Sequence, residues 1–131
     1  MKKIFVLIIL VFFASNSYSQ LKIDLVGVWR ITVQAGEKPT TPTYALLNAD
    51  GSYLWGTDST GSDPDGKASI GTWDLTLQKE IKIIPVNKTD KIRYYGPMGS
   101  DNMYKYKYYE DNGQKVLDKQ TDMSVFMQKI G

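Results

Sequence analysis

The residues best suited to chemistry in this chain are aromatic: Tyr53, Trp55, Trp73, Tyr104, Tyr106 and Tyr108. The last three alternate with Lys105 and Lys107 in Met103–Glu110 (MYKYKYYE). In an extended strand three rings therefore share one face. With that face inward, three phenol hydroxyls enter the interior and each needs a hydrogen-bond partner, which water or a ligand in a cavity supplies. With it outward, two ammonium groups are buried instead, at far greater cost. Aromatic walls with a few polar tips suit small apolar or amphipathic ligands. The same residue types favour strands and fill small barrels as core, which is the reading for Trp29 and Trp73.

Other chemistry is narrowed by what is missing. The 131 residues include no His and no Cys, so a Ser-His-Asp triad, a Cys-His dyad and an ordinary zinc site are excluded. Asp58, Asp63 and Asp65 precede Gly66 in one loop. They lack the Asp-x-Asp-x-Asp-Gly spacing with a distal Glu that a calcium loop needs, so no metal set is assigned. Glycoside chemistry needs two acids facing each other across a cleft. Most acids here sit at turns, and the strand-borne Asp74 and Glu80 fall on the outer face. The expectation is a protein that is not an enzyme and uses no cofactor. Asp58-Ser59-Thr60 resembles an O-glycosylation acceptor of exported proteins in some Gram-negative bacteria, which makes Ser59 a candidate modification site. Asn87-Lys88-Thr89 fits the N-glycosylation sequon.

Residues 1–20 read MKKIFVLIILVFFASNSYSQ. Lys2 and Lys3 are followed by an apolar run, Ile4 to Ala14, and then by small polar residues. This is the order of a secretory signal peptide, with Ser17 and Ser19 at −3 and −1 if cleavage falls before Gln20. The run is 11 residues long, short of the ~20 that span a bilayer as a helix. The expected division is residues 1–19 as signal peptide and residues 20–131 as one domain of 112 residues. Removing Lys2 and Lys3 takes the formal charge from +2 to zero. A neutral chain offers no electrostatic case for nucleic acid. The expected location is periplasmic or secreted, with no membrane span once the leader is gone. Such a chain holds together by core burial without disulfides, feasible at about this length.

The elements that position the aromatics are short alternating segments divided by turn residues, the pattern of an all-β meander or barrel. The strands expected are Leu25–Val33, Tyr44–Asn48, Ser52–Thr57, Ala68–Leu77, Lys79–Val86, Lys91–Tyr95, Met103–Glu110, Gln114–Asp118 and Met123–Ile130. Asp50-Gly51 and Asp111-Asn112-Gly113 are turn signals, and 58–67 and 96–102 are loops. Leu25, Gly27, Trp29, Ile31 and Val33 share one face of the first strand, and Gly71, Trp73, Leu75 and Leu77 share one face of the fourth. Ile84 and Val86 fall out of phase with Ile81 and Ile83, which marks a bulge or a strand end at Pro85. About eight strands with short turns predict an all-β, eight-stranded antiparallel up-and-down barrel, which removes exposed edges. An eight-strand sandwich is the alternative. Lysines and Arg93 interrupt the apolar outer band that an outer-membrane barrel requires.

Three motifs add a resemblance. Leu25-Val26-Gly27-Val28-Trp29-Arg30 resembles the opening Leu-x-Gly-x-Trp strand of lipocalin-like domains. Asp50-Gly51-Ser52-Tyr53 is similar to their Asp-Gly-x-aromatic hairpin turn, and Gly71-Thr72-Trp73-Asp74-Leu75 to their second Gly-x-Trp strand. Order and spacing resemble the small secreted lipocalin-like, calycin-type proteins of Gram-negative bacteria along essentially all of 20–131. The resemblance implies that Gly27 and Trp29 close one barrel end, covered by a basic residue of the last strand, for which Lys129 is nearest.

The expected function is an exported, non-enzymatic lipocalin-like protein. It would bind a small hydrophobic molecule or lipid at an aromatic-lined mouth formed by Tyr53, Trp55, Trp73, Tyr104, Tyr106 and Tyr108. Two other classes stay open: a protein-interaction or inhibitor module using loops 58–67 and 96–102 or a strand edge, and a cofactor-free enzyme using Tyr and carboxylates.

Overall fold

The structure is a computed structural model and describes residues 22–35, 38–39, 42–119 and 123–131. The expected leader, residues 1–19, and the expected mature start at Gln20 lie outside these. Ten strands follow one helical turn at 22–24: β1 (Gly27–Ala35), β2 (Lys38–Pro39), β3 (Thr43–Leu47), β4 (Ser52–Thr57), β5 (Ser69–Leu75), β6 (Ile81–Pro85), β7 (Arg93–Tyr95), β8 (Tyr104–Asp111), β9 (Gln114–Leu117) and β10 (Met123–Lys129). Each strand pairs antiparallel with its neighbour in the order β10-β1-β3-β4-β5-β6-β7-β8. The circuit closes where Phe126 and Met127 of β10 meet Lys105 and Tyr104 of β8. The result is the closed eight-stranded up-and-down barrel that the strand pattern predicts. β2 pairs with the end of β1, where Pro39 lies in an edge strand that tolerates its missing donor. β9 pairs with the far half of β8, so β8 shares one edge between β9 and β10.

The alternation read from the sequence builds the core. Trp29 and Ile31 of β1, Ala45 and Leu47 of β3, Trp73 and Leu75 of β5, and Ile81 and Ile83 of β6 are all buried and fill the interior. One end of the barrel carries the 22–26 segment, the β3–β4 and β5–β6 turns, the β7–β8 loop and the C-terminus. The other end, called the mouth below, carries the β4–β5 and β6–β7 loops and the β8–β9 hairpin. That hairpin turns at Asn112 and Gly113, both with left-handed backbone (φ 50° and 77°), the type I′ geometry that the Asp-Asn-Gly signal predicts.

Two details depart from the expected pattern. Leu77 does not continue the inward face of β5 and is 81 % exposed. The chain leaves the strand at Leu75 and turns through Thr76–Glu80. There Thr76 N donates to the Glu80 carbonyl, Lys79 N donates to the Thr76 carbonyl and Lys79 is left-handed (φ 66°). A closed hydrogen-bonded turn overrides an alternation that ran two residues too far. In β8, Tyr95 is opposite Tyr106 and Tyr94 is opposite Tyr108, so Lys107 is an extra residue. This bulge shifts the side-chain parity. Tyr104 and Tyr106 face inward, whereas Tyr108 joins Tyr94 on the outer face. The three-ring inward stripe is therefore a two-ring stripe.

Candidate functional site: the two ends of the barrel

At the mouth, Tyr53 and Tyr95 are buried and Trp55 and Tyr106 are half-buried. Their rings run in a chain across the interior, Trp55 to Tyr95 at 5.5 Å and Tyr95 to Tyr106 at 5.4 Å. The protein's own groups satisfy their hydroxyls. Tyr106 donates to Asp118 Oδ2 at 2.8 Å, and the Tyr53 hydroxyl shares a 3.3 Å hydrogen bond with Ser69 Oγ. No buried side-chain nitrogen or oxygen among the described residues lacks a partner. The Arg93 guanidinium sits over Tyr106 at 5.7 Å, and Lys91 sits over Tyr109 at 4.2 Å. Among the described residues a cavity of about 160 Å³ is rimmed by Asp90, Lys91 and Arg93, scarcely more than a site that admits one benzene, and a second of about 150 Å³ lies beside Tyr106, Asp118 and Val125.

Burial holds the phenols here in their neutral form. It pushes Tyr95 up to about 12 and raises Tyr53. It raises Tyr106 as well, reinforced by the hydrogen bond to Asp118. At neutral pH these groups are hydrogen-bond donors rather than bases or nucleophiles.

The opposite end is built around two pinned indoles. Trp29 Nε1 donates to the Leu25 carbonyl at 2.9 Å, and Trp73 Nε1 donates to the Asn48 carbonyl at 2.9 Å. Tyr104 meets Trp29 edge-on, with centroids 5.5 Å apart and planes at 74°. Burial raises the Tyr104 phenol. Lys129 lies opposite Trp29 in the β1–β10 register, so the basic residue implied by the lipocalin resemblance stands at this end. The lysine stacked on an indole, however, is Lys22, 5.4 Å from the Trp73 ring and ion-paired with Asp74 at 3.0 Å. Above Trp29 opens a cavity of about 730 Å³. Leu25, Trp29, Leu75, Pro97, Met98 and Tyr104 give it a mostly apolar wall, and Asp24, Lys79 and Lys129 stand among its polar groups.

The six predicted site residues are thus not one wall. Tyr53, Trp55 and Tyr106 gather at the filled mouth, Tyr104 lines the opposite cavity, Trp73 is core, and Tyr108 packs outside beneath Lys115, whose Nζ is 4.6 Å from its ring. Sequence reasoning missed Leu25, Leu75, Pro97 and Met98 as cavity wall. The legible hint was an apolar residue inside a loop, Met98 in GPMGSDN.

The acidic loop 58–68 uses its own carboxylates. Asp58 Oδ1 accepts from Thr60 N, Thr60 Oγ1 and Ser62 N, which holds Asp58 below the usual carboxylate range, the Thr60 hydroxyl contributing most. Asp63 accepts from Lys67 N and Ala68 N. Among the described residues no group of three or more His, Cys, Asp or Glu is placed to hold a metal. Ser59 is exposed in this loop. Asp74 is exposed as expected, but Glu80 is 3 % exposed because the β9 residue Lys115 covers and ion-pairs it. No helix among the described residues is long and apolar enough to cross a membrane.

Compared with known protein families, curated proteins and solved structures, the chain finds no match. The architecture itself, a closed antiparallel eight-stranded barrel, is consistent with a calycin-like fold.

Proposed function

We propose that this chain is an exported, non-enzymatic lipocalin-like barrel that binds a small hydrophobic or amphipathic molecule in the cavity at the Trp29 end. One observation carries the reading. That cavity, at about 730 Å³, falls within the roughly 300–1,000 Å³ typical of ligand pockets, while among the described residues the cavities beside the mouth tyrosines are about 160 and 150 Å³. The leader-like residues 1–19 support export. The test is to fill each end in turn in chain 20–131. Asp24→Trp places an indole into the Trp29-end cavity from an exposed position, and Lys91→Trp does so at the mouth. Titration with a dansyl-labelled fatty acid should show about tenfold weaker binding for the first variant and an unchanged affinity for the second. Binding lost with Lys91→Trp and kept with Asp24→Trp would return the site to the mouth, and no binding by the parent chain would defeat the ligand reading.

An interaction module finds support in β9. Its edge away from β8 has no partner strand among the described residues, and such an edge can accept an added strand.

A further inference from the structure

Among the described residues the fold leaves the hydroxyl of one buried tyrosine, Tyr104, without a partner. The other deeply placed phenols are satisfied: Tyr53 by Ser69, Tyr94 by Glu110, Tyr95 by Arg93 and Tyr106 by Asp118. Tyr104 is 7 % exposed and meets Trp29 ring to edge. Its hydroxyl finds no hydrogen-bond partner and no charge among the described residues. A buried hydroxyl left unpaired is costly, and no fully enclosed side-chain oxygen among the described residues is in that condition. The Tyr104 hydroxyl therefore reaches open space, and the space that Tyr104 lines is the cavity of about 730 Å³.

A second donor stands beside it. Across β10, Met127 lies opposite Tyr104 on one side and Lys129 lies opposite Trp29 on the other. Met127 and Lys129 are two residues apart, so Lys129 shares the inward face of β10 and is diagonal to Tyr104. Such diagonal neighbours are roughly 7–8 Å apart, within reach of long side chains. Gly27 makes room for the lysine stem, since a β carbon there would lie 3.0 Å from Lys129 Cε. No ion pair holds Lys129 among the described residues. Two other polar groups here are already committed, Trp29 Nε1 to the Leu25 carbonyl and Gln128 Oε1 to Arg30 Nη2 at 2.6 Å. Asp24 and Lys79 also line the cavity, but from exposed turns rather than from an inward strand face. A phenol O–H and an ammonium on one face, beside an apolar wall, complement an anionic oxygen head on a hydrocarbon tail.

We infer that the cavity takes a carboxylate-headed amphipath head inward, with the Tyr104 hydroxyl donating to the carboxylate and the Lys129 ammonium facing it. This rests on the reading of the cavity as an apolar-ligand site. The experiment is calorimetric titration of chain 20–131 at neutral pH with dodecanoate and with dodecyltrimethylammonium, both below micelle-forming concentrations. The two share a tail, and the second has no hydrogen-bond acceptor. The parent chain should bind dodecanoate at least about tenfold more tightly than the cation. Tyr104→Phe should weaken dodecanoate about tenfold and leave the cation within about twofold. Lys129→Gln, at an exposed position, is the second variant and should weaken dodecanoate by about threefold or more. Without ligand, Tyr104→Phe should melt within about 2 °C of the parent, because it removes a hydroxyl that bonds nothing in the fold. Tyr106→Phe loses its bond to Asp118 and should melt several degrees lower. Equal affinity of the parent for both amphipaths, a preference for the cation, equal losses of both in the variants, or a Tyr104→Phe chain that melts as low as Tyr106→Phe overturns the anchor. Each leaves the cavity reading standing so long as Asp24→Trp weakens binding. Binding of neither amphipath by the parent, or binding that Asp24→Trp does not change, defeats the cavity reading and the anchor with it.

Discussion

Gly71 sits where a β carbon would strike the Ile84 carbonyl oxygen and lie 2.7 Å from Tyr53 Cε1 and 2.9 Å from Pro85 Cα. Two of these obstacles are backbone of the paired strand β6 and do not swing away. Gly27 is limited in the same way by the Gly131 carbonyl, with Lys129 Cε 3.0 Å away. In both Gly-x-Trp pairs, then, glycine serves close approach, by β6 and the Tyr53 ring in one and by the C-terminal residues in the other. Gly71→Ala should destabilise the fold by about 1–3 kcal/mol, the usual cost of overpacking. Urea denaturation should show this as a lower midpoint with an unchanged slope. The Gly-x-Trp spacing was legible because period two is a property of the strand alone. What fills the space beside each glycine was not, since Ile84 arrives from β6 and Gly131 from beyond the end of β10.

Among the elements, the β8 bulge has the widest effect. By turning Tyr108 outward it builds a cluster on the outer face with Tyr94, Glu110, Lys82 and Glu80. The Tyr94 hydroxyl donates to Glu110 Oε1 at 3.2 Å. Lys115 of β9 reaches across to pair with Glu80, its Nζ 5.0 Å from the Tyr94 ring. β9 is outside the barrel circuit, so this cluster helps anchor it. Breaking a buried pair costs about 3–5 kcal/mol, but the Lys115 side chain is 36 % exposed, and water reaching the pair reduces that to about 1–3 kcal/mol. Lys115→Ala should fall in this range. Glu80→Gln should cost less, because the lysine can turn to solvent. The double mutant should be less destabilised than the sum by about 1 kcal/mol, measured as a cycle in urea. The strand itself and its hairpin could be read from MYKYKYYE and Asp-Asn-Gly. The bulge could not, because it is defined by which residue of β7 lies opposite.

At the scale of the whole molecule, closure packs tyrosines inside a barrel only eight strands around, and this couples stability to alkaline pH. Burial raises the phenols of Tyr53, Tyr95, Tyr104 and Tyr106 from an unfolded value near 10. The folded chain keeps those protons longer than the unfolded chain. The resulting stability is complete below about pH 10 and is lost as the pH rises toward about 12, where Tyr95 ionises. The melting temperature should therefore fall steeply above pH 10, with tyrosinate absorbance at Tyr95 developing together with unfolding. Tyr95→Phe should soften the fall, and an unchanged profile would exclude Tyr95 as its source. The acid side has the opposite sign. Asp58 and Asp50 are held low by hydrogen bonds, chiefly from Thr60 and Ser52, so their contribution is present above the normal carboxylate range and lost as pH falls through their folded values.

By itself the sequence determined the all-β class, the strand succession, the inward face of most strands and the absence of His and Cys chemistry. These follow from side-chain period, turn residues and composition, all of which are local. Only the tertiary structure decided where open space remains. Among the described residues the mouth keeps only small cavities because Trp55, Tyr95 and Tyr106, from three different strands, meet ring to ring. The Trp29 end stays open because the 22–26 segment, the β5–β6 turn and the β7–β8 loop surround its cavity. Volume is what remains after every strand has contributed its side chains, so no single stretch of sequence carries it.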